Sequence, residues 1–588
     1  MKNLSVLPAL LLVLSCASCD REKEPSQSKP ESTQAIRGDA VINYAPKIEF
    51  EDFSEIAGLD FYYEDGAEGD KWAPETMIGG VSFFDYDNDG DADLMAVSGK
   101  KWDEYENGSG KNTLSLYRND DGKSFTDVTN EVGLIFNGYG FSAVVGDYDN
   151  DGWQDIYVTA LGENKLFKNY EGKKFLDVTE KNNVQGSKGD YSIGAAFFDA
   201  DNDGDLDLFV ANYMQWSKQL DMRINENINN LDKAYSGPSY FESSKSYFYR
   251  NYGDIGFKEE SRSAGLDVES RGKAIGKTLG ILPVDINNDG YIDLITANDQ
   301  IRNFAFINNG SGNFTEQGEE IGIAYNNLGK STAAMGVDAA WLSKDLLLTV
   351  AMGNYASEMT SVYVFDREHE VFSDDAPITG IGPDSRKSLT FGVLFLDLDL
   401  DGRMDFVQAN GHVEPDISLT QKSQAYKQPA QLFWNCGSDC SRPFVLLPAT
   451  SVGELYEPLA GRGLAAADYD NDGDIDIAIS EIGGRLRLFK NNQKTSNNWL
   501  RLELSQPDKN RFAVGAIVEI HHGGHVQKQH LMPTRSYVSQ VENILTFGLG
   551  DSKSVDSINI TWPDGQHQVL SNINANQKLK IVKDINKQ

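Results

Sequence analysis

Basic residues are scarce in this chain. Its 588 residues carry 53 Lys and Arg against 89 Asp and Glu, a formal net charge of −36. Such a surface disfavours nucleic acid and anionic lipid head groups, and no basic patch with interleaved aromatics offsets it. Cysteine is scarcer still, with four residues: Cys16, Cys19, Cys436 and Cys440. The last two have no histidine near in sequence to complete a zinc site. In an oxidising compartment they are expected to form a small local disulfide, in a turn between repeats. Beyond the N-terminus no apolar run reaches the roughly 18 residues that suggest a membrane span. Catalytic signatures are missing too: there is no Gly-x-Ser-x-Gly in a strand–turn–helix setting, no His-Glu-x-x-His and no Gly-rich phosphate loop.

Lys2 precedes an apolar run from Leu4 to Leu14, which reads as a secretory signal. A small residue before cysteine suggests lipid attachment at Cys16, after Val13-Leu14-Ser15, or at Cys19, after Ala17-Ser18; the alternative is an ordinary cleaved signal. The expected signal covers residues 1–19. Residues 20–45 are rich in Ser, Glu, Gln, Lys and Pro, as in a disordered tether. The Arg37-Gly-Asp39 triplet within it is short enough to be chance.

What the chain has in abundance is one short acidic loop, present six times. The first reads Asp85-Tyr-Asp87-Asn-Asp89-Gly90-Asp-Ala-Asp93. Positions one, three, five and nine of the others are Asp147, Asp149, Asp151 and Asp155; Asp199, Asp201, Asp203 and Asp207; Asp285, Asn287, Asp289 and Asp293; Asp397, Asp399, Asp401 and Asp405; and Asp468, Asp470, Asp472 and Asp476. Alternating side-chain oxygens wrap a hard cation, the glycine at position six takes the sharp turn, and position nine is the expected closing carboxylate. Up to six Ca²⁺ ions are expected. The competing reading, polar turns without metal, leaves six concentrations of carboxylate to repel themselves. An EF-hand closes with Glu at position twelve; here that position is Ala96, Val158, Val210, Thr296, Gln408 or Ile479.

Branched and aromatic runs flank each loop, such as Val81-Ser-Phe-Phe84 before and Leu94-Met-Ala-Val97 after, so each loop joins two strands. A third strand ends in an aromatic two residues before Asn: Tyr117 and Asn119, Phe167 and Asn169, Tyr249 and Asn251, Phe306 and Asn308, Phe433 and Asn435, Phe489 and Asn491. An aromatic-led fourth strand follows, as in Phe125-Thr-Asp-Val-Thr129. Loop starts lie 62, 52, 86, 112 and 71 residues apart. The long gap hides a further unit at Met335 to Asp345, with a strand at Leu346 to Ala351 and no liganding set. Seven units of four strands predict an all-β chain, a seven-bladed β-propeller over residues 46–495 followed by a small β-rich domain over 496–585. A split or misread unit would make the ring six- or eight-bladed.

These repeats resemble FG-GAP/VCBS repeats, the calcium-binding blades of integrin-alpha-like propellers. The tail resembles the ASPIC/UnbV domain in Asn510-Arg-Phe-Ala-Val-Gly515, Ser536-Tyr-Val-Ser-Gln540, Leu545-Thr-Phe-Gly-Leu-Gly550 and Ile560-Thr-Trp-Pro-Asp-Gly565. The combination resembles the bacterial relatives of the cartilage acidic protein 1 family. It implies an extracytoplasmic, calcium-stabilised propeller with a β-rich cap. The N-terminal signal and the lack of a later long apolar run lead to the expectation of a place in the bacterial cell envelope, on the periplasmic face or cell surface, with lipid the only membrane attachment. Ser236-Gly-Pro238 stands where the family pattern is expected to have Cys-Gly-Pro.

Two functions fit. One is a non-enzymatic adhesion module whose loop-built face binds a protein or glycan. Trp216, Tyr235, Tyr240 and Phe241, in an insertion from Tyr213 to Ser246 between the third and fourth loop-bearing units, suit sugar stacking or a protein contact; blade packing explains them equally. The other is a propeller-funnel enzyme acting on polysaccharide as lyase or hydrolase. His412 and Glu414 are its candidate acid/base pair, against a loop-ordering role. Arg535 and Tyr537 are candidate ligand contacts, or packing. His521-His522-Gly-Gly-His525 is a candidate transition-metal cluster, or a hairpin turning at Gly523-Gly524. No catalytic residue is assigned.

Overall fold

The computed structural model describes residues 45–224, 226–228, 232–342 and 345–584. The expected signal, Cys16, Cys19, the Arg-Gly-Asp triplet and the tether up to residue 44 lie outside the described residues.

Alternating strand signals and glycine turns fold into seven antiparallel sheets with four-strand meanders. Blade one holds Gly80–Phe84, Asp93–Val97, Leu114–Asp120 and Ser124–Asp127; blade two runs from Tyr139–Gly146 to Lys174–Asp177; blade three from Ser192–Phe198 to Phe257–Glu259. Blade four runs from Thr278–Val284 to Phe314–Glu316, blade five from Ala334–Leu342 to Val371–Asp374, and blade six from Thr390–Leu396 to Phe444–Leu446. The seventh takes Gly461–Ala467, Asp476–Glu481 and Leu486–Asn491 from the end of the series. Its outermost strand, Phe50–Asp52, comes from the beginning, with Phe50 opposite Asn491. The first strand of each blade touches that of the next, and blade seven touches blade one, so the all-β chain closes into a propeller. Those first strands are apolar because they are buried on both faces.

The cryptic unit is blade five, with Leu342 opposite Leu347 across its turn. Two expected placements are corrected. The Tyr213-to-Ser246 insertion lies within blade three, between its second strand, Asp207–Asn212, and its third, Tyr247–Asn251. Cys436 and Cys440 are disulfide-bonded, but inside blade six, between Gln431–Asn435 and Phe444–Leu446. Loop-to-loop spacing alone does not say which connection of a four-strand unit has lengthened.

The tail builds two sheets, one of three strands ordered Leu545–Gly550, Asn498–Ser505, Gln577–Val582, and one of four ordered His525–His530, Ile517–His522, Ser554–Thr561, His567–Asn574. Leu500, Leu502, Val518, Ile520, Phe547, Ile558 and Trp562 belong to its core. One tail segment leaves this body for the propeller. Ser539–Gln540 pairs parallel with Val81 and Ser82 of blade one. Ser536 bridges to Val337 of blade five, and its Oγ accepts from Val393 N of blade six at 3.1 Å. Ser539 Oγ accepts from Leu464 N of blade seven at 3.0 Å, and Gln540 Oε1 from Val145 N of blade two at 2.8 Å. A segment reaching the inner strands of five blades fills the central channel. Tyr537 is fully buried there against Phe391, its hydroxyl donating to Met77 O at 2.9 Å.

Candidate metal centres

Each acidic loop follows the first strand of its blade and leads into the second. Position four sits in the left-handed region in all six: Asn88, Asn150, Asn202, Asn288 and Asn471 at φ 56–60°, and Leu400 at φ 60°. Position six follows with glycine at φ 87–103°, where a side chain would be strained. This backbone turns the main-chain N–H groups inward onto position one. In the first loop Asp89 N and Gly90 N donate to Asp85 at 3.1 and 2.9 Å; in the last, Asp472 N and Gly473 N donate to Asp468 at 3.0 and 2.9 Å.

Position nine, the expected closing ligand, is the deepest acid and has a second task. Its two oxygens accept backbone N–H groups in every loop: from Tyr86 and Asn119 for Asp93, Tyr148 and Asn169 for Asp155, Ala200 and Asn251 for Asp207. Ile286 and Asn308 serve Asp293, Leu398 and Asn435 serve Asp405, and Tyr469 and Asn491 serve Asp476. Position nine therefore pins the loop to the third strand. It also stays near the cluster in three loops, where Asp93, Asp155 and Asp476 each have an oxygen within 4.8 Å of the oxygens of positions one and three. In two others the close trio is positions one, three and five: Asp199, Asp201 and Asp203, and Asp397, Asp399 and Asp401. In the loop of Asp285 and Asp289, Asn287 replaces the position-three acid, and its amide donates to Asp289 at 2.9 Å.

Burial and the neighbouring carboxylates push these acids far from their ordinary range. Asp85 rises to about 6, and Asp147, Asp199 and Asp401 to about 7. The oxygens Asp87 Oδ1, Asp199 Oδ1, Asp399 Oδ1 and Asp470 Oδ1 are buried without a hydrogen-bond partner. A buried acceptor without a donor is costly, and a hard divalent cation supplies what these oxygens lack. The donor set, all carboxylate, amide and carbonyl oxygen, suits Ca²⁺ better than a softer ion. These residues therefore fit a cation.

The middle residue of the aromatic-x-Asn triplet, which the sequence reading passed over, also serves the loops. Lys168 pairs with Asp149 and Asp151, Lys490 with Asp470, and Arg250 with Asp201 at 2.7 Å. The triplet's Asn has a second task. Its Nδ2 donates to the position-two carbonyl of the preceding loop: Asn169 to Tyr86 at 2.8 Å, Asn251 to Tyr148 at 2.7 Å, Asn308 to Ala200 at 2.7 Å, Asn491 to Leu398 at 3.1 Å, and Asn119 to Tyr469 at 2.7 Å.

The tail domain docks on this loop face. Arg501 is buried between Asp468 Oδ2, at 2.9 Å, and Glu542, which it grips through both oxygens at 2.6 Å. Lys578 donates to Gly90 O at 2.8 Å, Lys509 pairs with Asp205 at 2.8 Å, Asn510 N donates to Asn150 Oδ1 at 2.7 Å, and Lys528 donates to Asn288 at 2.7 Å. Gly550 closes the set, its N lying 3.0 Å from Leu400 O, so all six loops touch the tail. No signal in the sequence marks these pairs: Arg501 and Glu542 are 41 residues apart, and Lys578 and Gly90 are 488 apart.

The other candidates are placed as follows. His412 and Glu414 do meet, Glu414 N donating to His412 Nδ1 at 3.0 Å, while Lys71 holds Glu414 at 2.5 Å. Both are buried, and burial lowers His412 to about 4. Arg535 lies 3.5 Å from the buried Asp338 of blade five. His521 pairs with Glu519 at 2.7 Å, whereas His522 turns to Ser552 and Gln527; among the described residues the three histidines form no metal-sized group, and they lie on the hairpin of Ile517–His522 and His525–His530. In the blade-three insertion Trp216 packs on Trp102, Tyr235 donates to Glu75 at 2.9 Å and Phe241 is buried. Tyr240 alone is open to solvent, 55% exposed.

Comparison with known proteins agrees with this architecture. The FG-GAP-like repeat family matches residues 85–158 and 147–210, and the ASPIC and UnbV family matches 506–588. Cartilage acidic protein 1 of Mus musculus is 23% identical over 539 residues, covering 87% of this chain and 74% of the mouse protein. Its Xenopus tropicalis counterpart is 24% identical over 524 residues, covering 84% and 71%. Among solved structures, an Agrocybe aegerita lectin that recognises non-reducing terminal N-acetylglucosamine aligns with a TM-score of 0.39 and 15% identity, over 70% of this chain and 87% of the lectin. The chain thus carries FG-GAP-like repeats and an ASPIC and UnbV domain, and is similar to cartilage acidic protein 1.

Proposed function

We propose that this protein is a calcium-binding propeller of the bacterial cell envelope, tethered through lipid on Cys16 or Cys19, which binds a protein or glycan and catalyses nothing. The observation that carries the choice of binding over catalysis is the filled channel. A funnel enzyme needs an open axis lined by convergent acid and base groups. Here the axis holds Tyr537 and its flanking strand, and the candidate acid and base, Glu414 and His412, are buried and engaged with Lys71 and with each other.

Calcium is the proposed ion in all six loops, held by side-chain oxygens of positions one, three, five and nine, with Asn287 at position three of the Asp285 loop; position nine lies close to positions one and three in three of the loops. Dissociation constants of about 0.1–1 mM, usual for extracellular modules, would keep the loops filled outside the cell. No helix among the described residues is long and apolar enough to cross a membrane, so attachment rests on the proposed lipid. The acidic surface argues against nucleic acid as a partner.

The test is a pull-down from envelope and matrix fractions of the source cell with the chain from residue 40 onward, in millimolar calcium and in chelator. A partner held in calcium and released by chelator supports the reading and gives its class. A well-folded calcium form that holds no partner, yet cleaves envelope polysaccharide, refutes it.

A further inference from the structure

Five of the six loops are linked. The amide at position four reaches the turn of the next loop along the ring. Asn471 Nδ2 donates to Asp91 Oδ1 at 2.8 Å, Asn88 to Gly152 O at 3.0 Å, Asn150 to Asp205 Oδ1 at 2.7 Å, and Asn202 to Gly290 O at 3.2 Å. Each acceptor is position six or seven of its loop, next to the position-five acid. The series therefore joins five loops in one arc, beginning at Asp468 and passing through Asp85, Asp147 and Asp199 to Asp285. It has two ends with identifiable causes. Leu400 stands at position four of the Asp397 loop and has no amide to offer. Asn288 faces blade five, which has no acidic loop, and accepts from Lys528 of the tail instead.

Position four lies between the acids of positions three and five, so a cation on those acids fixes the amide that grips the neighbour. The neighbour's own turn, carrying its position-five acid, is then ordered before its cation arrives. Ordering costs already met at one site are not met again at the next, which is positive cooperativity. Repulsion between cations in adjacent loops opposes this, but at physiological salt it is screened over about 8 Å. That the arc holds cation sites at all rests on the reading above, and on Asp199 Oδ1, an unpartnered oxygen of a residue only 4% exposed inside its carboxylate trio.

We infer that calcium fills the arc from Asp468 to Asp285 cooperatively, through the position-four asparagines, while the Asp397 loop fills outside that relay. One hydrogen bond per junction corresponds to about a threefold gain in affinity beside a loaded neighbour, and five sites so linked give a Hill coefficient of about 1.5.

Equilibrium dialysis of the full chain against buffered calcium tests this. The variant carries Asn88→Gly, Asn202→Gly and Asn471→Gly together; glycine accepts the left-handed backbone, the acids remain, and the strand asparagines such as Asn169 keep joining the blades. The expected result is the same number of ions bound at saturation, with the Hill coefficient falling from about 1.5 to about 1.1. A parent chain that binds its ions with a Hill coefficient of 1, or a variant as cooperative as the parent, overturns the coupling and leaves the calcium reading standing. A parent chain that binds no calcium overturns both.

Discussion

Tyr537 offers the sharpest test of how tail and propeller are joined. The ring is fully buried in the channel and its hydroxyl donates to Met77 O. Replacement by Ala removes an aromatic side chain from a packed core, which costs about 3–5 kcal/mol. It also leaves Met77 O without its donor, a further 1 kcal/mol or so. Unfolding entropy of about 2.1 cal/mol/K per residue, over 588 residues, amounts to about 1.2 kcal/mol/K. Tyr537→Ala should therefore lower Tm by about 4 °C, and Tyr537→Phe, which loses only the hydroxyl, by about 1 °C. Differential scanning calorimetry in millimolar calcium reads both, with the exposed Tyr240→Ala as a control expected to move Tm by less than about 0.5 °C. If Tyr537→Ala melts with the parent, the Arg535–Gln540 segment is not seated in the channel in solution, and the case against a funnel enzyme loses its support.

Replacing Asp85 and Asp89 by Ala should lower Tm in calcium and change it far less in chelator; equal losses in both would show that the loop holds no ion. Arg501→Gln strands Asp468 and Glu542 in a buried site, at a cost of about 3–5 kcal/mol, so a fall in Tm of about 3 °C is expected, and a fall below 1 °C would mean that the tail is anchored elsewhere. Burial pushes Glu75 up to about 7, against donors Trp102 Nε1 at 2.7 Å and Tyr235 OH at 2.9 Å. A carboxyl raised in the folded state favours folding fully below its ordinary range and loses that contribution as pH climbs through about 7. Stability in saturating calcium should thus decline between about pH 5 and pH 8, more steeply in the parent than in Glu75→Gln; identical slopes would refute the assignment to Glu75.

Local features were readable from the sequence wherever one residue type serves one local purpose. Gly90 and its equivalents mark a turn, the alternating acids mark an oxygen-lined loop, and the aromatic-x-Asn triplets mark third strands. Even the blade without acids declared itself, through the doubled spacing around Met335. Two things were legible in principle yet passed over: Asn at position four in five of six loops, which the left-handed backbone favours, and the basic residue inside the triplet, as at Lys168. Position nine was legible as a closing acid, near enough to the cluster in three loops, but its second task, accepting two backbone N–H groups, has no one-letter signature of its own. The tail's docking was not legible at all. Arg501 meets Asp468 only once the tail has packed on blade seven, and Tyr537 meets Met77 across 460 residues.

Ring closure sets the order of events in the protein's making. The strand that completes the seventh blade is Phe50–Asp52, and its partner, Phe489–Asn491, is synthesised more than four hundred residues later; Asn492 reaches back to Glu51 across a separation of 441 residues. Until then Phe50–Asp52 waits as an unpaired edge, and blade seven lacks its outer strand, both of them openings for mispairing with another chain. Closing so long a loop is slow more than it is costly. A chain threaded outward from its N-terminus would present the waiting strand first and its partner nearly last, with the channel-filling Tyr537 later still. The ring is thus a clasp whose two halves travel at opposite ends of the thread, and the interval between them is when the molecule has most need of protection.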